Sequence, residues 1–178
     1  MSGFEAYVLT PNHLETFQAF TCGSGNEWCD TLNDFLKENA LPEGAGLFNK
    51  TYVFYNDEAP VAYATLAASE IDRKRSNILF GSNKPHPTIP ALQIGRIAVD
   101  ESCQGQKLGT TVLGWIEKLA VESGIGCRFL VLTADEKNAG AIRLYKRYGF
   151  VAPDEINKGR REIIMLYDLI DSQENSRS

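Results

Sequence analysis

About sixty residues in the middle of the chain constrain its fold more than any other part. A largely apolar segment, residues 92–99 (LQIGRIAV), reads as a strand and runs into a glycine-containing turn. An amphipathic helix over residues 109–122 comes next, followed by a strand over residues 128–133 and a helix that ends at Tyr148. A strand–helix–strand unit of this kind predicts two parallel strands joined by a right-handed crossover.

The rest of the chain predicts a hairpin-rich first half. Hydrophobic and β-branched runs indicate strands over residues 4–9, 50–55, 61–68 and 162–169, and helical spacing indicates helices over residues 11–20 and 28–39. Residues 42–46 and 71–90 read as loops, and whether the longer one is a lid stays open. The predicted fold class is α/β (α+β), with a mixed, mostly antiparallel central sheet that contains the one parallel unit.

Length and composition predict one soluble, cytoplasmic domain over residues 1–171, with a polar, disordered tail over residues 172–178. No apolar run approaches the roughly 20 residues of a membrane span, and the N-terminus lacks the form of a signal peptide. Four cysteines without a C-x-x-C pair, and two histidines, make a metal site improbable. The net charge of −5 argues against broad nucleic-acid binding.

The turn after the first of these strands has the chemistry of a phosphate cradle. The first turn of a helix presents unpaired backbone N–H groups and a partial positive charge, and Gly105 and Gly109 let a diphosphate approach closely. The side-chain amide of Gln104 is a candidate donor, and Lys107 and Arg143 are candidate counter-charges. Taken alone, a glycine-containing strand-to-helix turn is more often only a turn.

Two motifs in order resemble the GNAT superfamily of acetyl-coenzyme A-dependent N-acetyltransferases. The first is QGQKLG, residues 104–109, which follows the family's Gln/Arg-x-x-Gly-x-Gly/Ala signature except at its middle glycine, which is Lys107 here. The second is NAGAIRLYKRYGF, residues 138–150, which matches the family's Asn-x-x-Ala-x-x-Leu-Tyr-x-x-x-Gly-Phe segment. The resemblance covers about residues 92–150 and implies a GNAT-like fold with acetyl-CoA as cosubstrate and no metal.

The resemblance also implies roles for particular residues. The pantetheine arm would lie along the strand at Ile97, Ala98 and Val99, with a backbone N–H near Val99 polarising the acetyl carbonyl. Asn138 would bond the arm, unless it only caps its helix, and Tyr145 would protonate the departing thiolate, unless it only packs against the sheet. The pyrophosphate would lie on Gln104, Gly105, Gln106, Lys107, Leu108, Gly109 and Thr110.

Three points stay open at this stage. Lys107 replaces the family's middle glycine and is expected to hold helical dihedrals, with its ammonium either on a phosphate or in solvent. The general base is Asp100, Glu70, Asp72 or a chain of waters, since the strand at residues 92–99 carries no carboxylate. Cys103 beside the cradle reads as a packing residue, and the basic run at residues 73–75 as a solvated patch or a phosphate attractor.

The leading functional prediction is an N-acetyltransferase, with direct attack of a primary amine on acetyl-CoA. A sharper alternative is toxin-type acetylation of aminoacyl-tRNA, because residues 20–23, 35–40 and 92–100 also resemble that branch of the superfamily. The third functional prediction is a non-catalytic regulator that binds acyl-CoA. The acceptor amine is unidentified, a homodimer is left open, and no nucleic acid other than tRNA is expected.

Overall fold

The computed structural model describes residues 3–81 and 86–170, and it contains a six-stranded mixed sheet in which the strands follow chain order. The strands are β1 (Phe4–Val8), β2 (Lys50–Asn56), β3 (Ala59–Ile71), β4 (Ile89–Val99), β5 (Phe129–Asp135) and β6 (Glu162–Asp168). Strands β1–β2, β2–β3 and β5–β6 pair antiparallel, and β4–β5 pair parallel. The predicted mixed α/β sheet with one parallel unit is confirmed.

Seven α-helices occur in the described residues: α1 (Pro11–Thr16), α2 (Glu27–Asp34), α3 (Ala40–Ala45), α4 (Arg73–Phe80), α5 (Leu108–Glu122), α6 (Ala139–Tyr148) and α7 (Asp154–Asn157). None of them is long and apolar enough to span a membrane. The chain divides into two compact units: unit 1 comprises Met1–Ala67 and Gly95–Val112, and unit 2 comprises Ala68–Ile94 and Leu113–Ser178.

Unit 1 packs short helices against the β1–β2–β3 meander. The turn between β2 and β3 places Asp57 and Glu58 at φ 48° and 69°, a pair of left-handed residues that suits a tight two-residue hairpin. The predicted second helix continues through a π-helical turn, Phe35–Asn39, into α3, so the predicted loop at residues 42–46 is wrong. Pro42 lies in the first turn of α3, where a helix tolerates proline. This unit's core includes Phe17, Leu36, Val53 and Tyr63.

Unit 2 contains the parallel pairing, in which residues 91–94 of β4 lie beside residues 129–132 of β5. The predicted long loop at residues 71–90 is wrong in part, because β3 extends to Ile71 and α4 follows it. Asp72 caps α4 by accepting a 2.9 Å hydrogen bond from the Arg75 amide. The short helix α7 was not predicted. The proposed lid falls partly on residues 82–85 and the predicted tail on residues 172–178, which lie outside the described residues.

Candidate functional site

The predicted strand–turn–helix arrangement is present, and its turn lies in unit 1. Strand β4 ends at Val99, a 3₁₀ turn covers Glu101–Cys103, and α5 begins at Leu108. The first regular helical bond joins the amide of Thr111 to the carbonyl of Lys107 at 3.1 Å. The three amides before Thr111 therefore have no acceptor within the helix, which is the arrangement that binds anions at helix N-termini.

Lys107 departs from its predicted conformation. It has φ 63°, in the left-handed region, rather than the helical dihedrals expected at this position. A non-glycine residue in this conformation costs roughly 1–2 kcal/mol. The turn thus keeps the backbone shape that favours glycine, although a lysine occupies the position and its side chain is exposed.

The Gln104 side chain points into unit 1. Its Nε2 donates to the carbonyl of Cys22 at 2.9 Å and to the carbonyl of Val99 at 3.2 Å. The predicted use of this amide as a phosphate donor is therefore replaced, in this structure, by a link between the N-terminal segment and the end of β4. The side-chain amide of the neighbouring Gln106 also donates to a carbonyl, that of Ser102, at 3.3 Å, so both glutamine side chains of the turn are bonded within the chain.

Asp100, one of the candidate bases, holds the turn together. Its Oδ1 accepts from the amide and the hydroxyl of Ser102, at 3.0 and 2.5 Å, and its Oδ2 accepts from the amide of Thr21 at 3.2 Å. Both oxygens of this carboxylate therefore have donors within unit 1, which supports a structural role for Asp100. The other predicted bases, Glu70 and Asp72, are exposed, and Asp72 is engaged as the cap of α4.

The end of β4 presents its side chains to two faces of the sheet. Ala98 is buried in the unit 1 core beside Phe35 and Tyr63, and Ile97 and Val99 are half-buried on the other face. Cys103 is a half-buried free thiol whose sulfur lies 3.5 Å from the Ser102 hydroxyl. The roles predicted for the backbone of residues 97–99 stay predictions.

Asn138 and Tyr145 belong to unit 2, on either end of the same helix. The Oδ1 of Asn138 caps α6 by accepting from the amide of Ala141 at 3.1 Å, which is the structural role anticipated for it. This bond leaves the amide end of the side chain as a donor. Gly149 ends the helix at φ 120°, a conformation that favours glycine.

The two tyrosines of α6 lie in different environments. Tyr148 donates a 2.5 Å hydrogen bond to Glu117, and its burial, followed by that carboxylate, raises its pKa strongly. The Tyr145 hydroxyl has no hydrogen-bond partner within the described part of the chain, and burial raises its pKa to about 12. The predicted match to a free thiol, which assumed a pKa of about 10, is therefore looser than expected. Tyr145 stays protonated at neutral pH and is available to donate.

The described residues thus combine unpaired amides at the start of a long helix with a tyrosine hydroxyl that is available to donate. The model of the acetyltransferase (GNAT) family matches residues 14–150, and the chain belongs to this family. The predicted family and enzyme class are thereby confirmed. A tRNA-acetylating toxin of Mycobacterium tuberculosis (strain ATCC 25618 / H37Rv) is 26% identical over 147 residues, which cover 82% of this chain and 84% of the toxin.

Two solved structures show the same fold. AtaT complexed with acetyl-methionyl-tRNAfMet has a TM-score of 0.74 and 21% identity, covering 99% of this chain and 100% of that one. A tyrosine-to-phenylalanine mutant of AtaT, bound to the C-terminus of the antitoxin AtaR and acetyl-CoA, has a TM-score of 0.69 and 21% identity, covering 94% of both chains.

Proposed function

We propose that this enzyme transfers the acetyl group of acetyl-CoA to the α-amino group of an aminoacyl-tRNA. The observation that carries the proposal is the segregation of charge between the two units. The acidic net charge, which argued against an RNA substrate, belongs to unit 1, where four lysines and arginines accompany eleven carboxylates. Unit 2 has fourteen basic residues and twelve acidic ones, so it is net positive.

Several of unit 2's cations are exposed and unpaired. Arg143, Lys146 and Arg147 lie on α6, and Arg73 and Lys74 open α4. Among the described residues none of these five forms an ion pair, unlike Arg75 and Arg161, whose partners are Asp72 and Asp135. Exposed cations that are not neutralised by their own chain are the electrostatic requirement for binding a phosphate backbone.

The donor half of the reaction follows from the cradle. The diphosphate of acetyl-CoA binds the backbone N–H groups of residues 105–110, since the Gln104 amide already donates to Glu101, and the pantetheine arm bonds the backbone of residues 97–99. The N–H of Val99 polarises the thioester carbonyl as it becomes an oxyanion. The relative bound to acetyl-CoA supports this cosubstrate.

The acceptor chemistry favours an α-amine. In the reaction the neutral amine attacks the thioester carbon, and the nitrogen of the tetrahedral intermediate loses a proton to water. The intermediate then expels the thiolate, Tyr145 gives that sulfur a proton, and the Tyr145 phenolate regains a proton from water. An α-amino group has a pKa of about 7.7–8.0, against about 10.4 for lysine, so a useful fraction is already neutral near pH 7. Such an amine can lose its proton to water, which agrees with a site in which Asp100 is fully engaged by other donors.

The experiment combines binding with transfer. Binding of charged tRNA should weaken with salt, and replacing Arg143, Lys146 and Arg147 together by glutamine should reduce the slope of log K against log salt by about 2–3. Replacing the unit 1 cations Lys37 and Lys50 by glutamine is the matched control and should leave the slope unchanged. Transfer of labelled acetyl to charged tRNA should fall with the first variant only. Transfer to small amines alone, with no salt-dependent tRNA binding, would contradict the proposal.

A further inference from the structure

Arg96 on β4 is a half-buried cation with an unusual set of neighbours. Its guanidinium lies 3.6 Å from the centre of the Phe35 ring. Phe35 is 3% exposed and itself stacks on the ring of Tyr63, with 6.3 Å between the ring centroids. The cation therefore sits on a fixed aromatic platform in unit 1, on the same face of β4 as Ala98.

The platform satisfies only the face of the guanidinium. Arginine stays charged in proteins and carries five N–H donors in its plane. Within residues 3–81 and 86–170, no carboxylate pairs with Arg96 and no acceptor takes a hydrogen bond from it. A partly desolvated cation whose in-plane donors are unused is poised to bind an anion at its edge.

We propose that Arg96 binds the phosphodiester nearest the aminoacyl ester of the acceptor, a proposal that rests on the proposed function. Arg96 precedes Val99, where that function places the acetyl carbonyl, by three residues or about 10 Å of strand. The carboxyl group of an aminoacyl-tRNA is esterified, so the anion next to the reacting amine is the phosphate that joins the last two nucleotides. A guanidinium held 3.6 Å above a ring, with its own donors unused, can present the fork that suits this phosphate.

Two minimal acceptors isolate the phosphate. Aminoacyl-adenosine lacks it, and aminoacyl-cytidylyl-adenosine has one. Arg96→Gln should raise KM for the dinucleotide acceptor by roughly 10- to 100-fold, with kcat little changed, and leave both constants for aminoacyl-adenosine as in the wild type. Arg96→Lys keeps the charge without the fork and should give an intermediate KM. Lys37→Gln removes a cation from the π-helical turn that carries Phe35. This variant should leave KM and kcat unchanged for both acceptors.

A second readout is independent of transfer. The Nε–Hε NMR signal of Arg96 is assigned by its loss in Arg96→Lys. It should shift when cytidylyl-adenosine without an attached amino acid is added, and it should not shift when adenosine is added. If the wild type acetylates no aminoacyl acceptor but this shift occurs, the proposed function fails while the phosphate site stands. An equal rise in KM for both acceptors in Arg96→Gln would overturn the phosphodiester assignment. So would an Arg96 NMR shift that is produced by glycine, which supplies a free carboxylate, and not by the dinucleotide.

Discussion

The hydroxyl of Tyr148 donates a hydrogen bond to Glu117 Oε2 at 2.5 Å. Tyr167 donates to the same carboxylate at 3.1 Å, so this acid is held by two phenols. Three residues before Tyr148, the hydroxyl of Tyr145 has no partner in the described part of the chain. Two tyrosines one turn apart on α6 are therefore separated into one that braces the fold and one that is free to act.

The first prediction follows from this difference. Tyr145→Phe should lower kcat by roughly 100- to 10,000-fold, because it removes the proton donor to the thiolate. It should leave acetyl-CoA affinity and the unfolding temperature close to wild type, because the hydroxyl bonds nothing in the chain. Steady-state kinetics, calorimetric titration with acetyl-CoA and thermal unfolding measure the three quantities.

Tyr148→Phe is the matched control. It removes a donor from a part-buried carboxylate and should reduce the free energy of unfolding by about 1.5–3 kcal/mol, with a small change in kcat. Unchanged turnover in Tyr145→Phe, or a collapse of turnover only in Tyr148→Phe, would reverse the assignment of the two tyrosines.

The second prediction concerns the ionisation of Tyr145. Burial raises its pKa to about 12, so the folded chain binds this proton more tightly than the unfolded chain does, in which a tyrosine has a pKa of about 10. The raised pKa therefore leaves the free energy of unfolding unchanged below pH 10, and this free energy falls as the pH rises from 10 through 12, by a total of about 2–3 kcal/mol. The difference in phenolate absorbance between wild type and Tyr145→Phe should show no ionisation of Tyr145 at pH 10. Half-ionisation there would contradict the raised pKa of Tyr145.

The third prediction separates backbone from charge at the cradle. Lys107→Gly relieves a left-handed lysine and should stabilise the fold by about 0.5–1 kcal/mol, the strain released less the entropy that glycine loses. If backbone amides bind the diphosphate, acetyl-CoA affinity should fall less than about fivefold, the limit for one exposed charge. Gln106→Gly, at a residue without positive φ, should instead destabilise the fold. A large loss of affinity in Lys107→Gly would assign the binding to its ammonium.

The fourth prediction tests Gln104 as a link rather than a ligand. Gln104→Leu removes two hydrogen bonds, to the carbonyls of Cys22 and Val99, and should lower the free energy of unfolding by about 1–3 kcal/mol. Gln106→Leu removes one longer bond and should cost less. Denaturant unfolding gives both values. Loss of acetyl-CoA affinity at unchanged stability in Gln104→Leu would show instead that the amide serves the phosphate.

Much of the fold could be read from the sequence because its strands are apolar and its main helices are amphipathic. The cap at Asn138 and the glycine stop at Gly149 fixed the ends of α6 correctly. The helices α3 and α4 were wrongly predicted as loops, because their sequences are short and lack a clear amphipathic pattern. Pro42 in a first turn looks like a loop, and the run at residues 73–75 hides a helix whose start depends on the Asp72 cap.

The candidate site residues could be named where a sequence motif includes them. Contacts between residues far apart in the sequence could not be predicted. The turn and Tyr145 are picked out by the two family motifs, but the left-handed φ of Lys107 is a property of the folded turn. The bonds from Gln104 to Cys22 and from Asp100 to Thr21 join residues about eighty positions apart. Arg96 carried no signal of its own until Phe35 was found beneath it.

The most direct test is to find where the acetyl group goes. The wild-type enzyme is incubated with labelled acetyl-CoA and a mixture of charged and uncharged tRNA. Nuclease then releases the terminal nucleoside, and mass spectrometry measures its mass. The account predicts aminoacyl-adenosine carrying one labelled acetyl on its α-amine, absent from uncharged tRNA and strongly reduced with Tyr145→Phe. Label confined to small amines or to protein lysines, with the aminoacyl-adenosine unmodified, would contradict it.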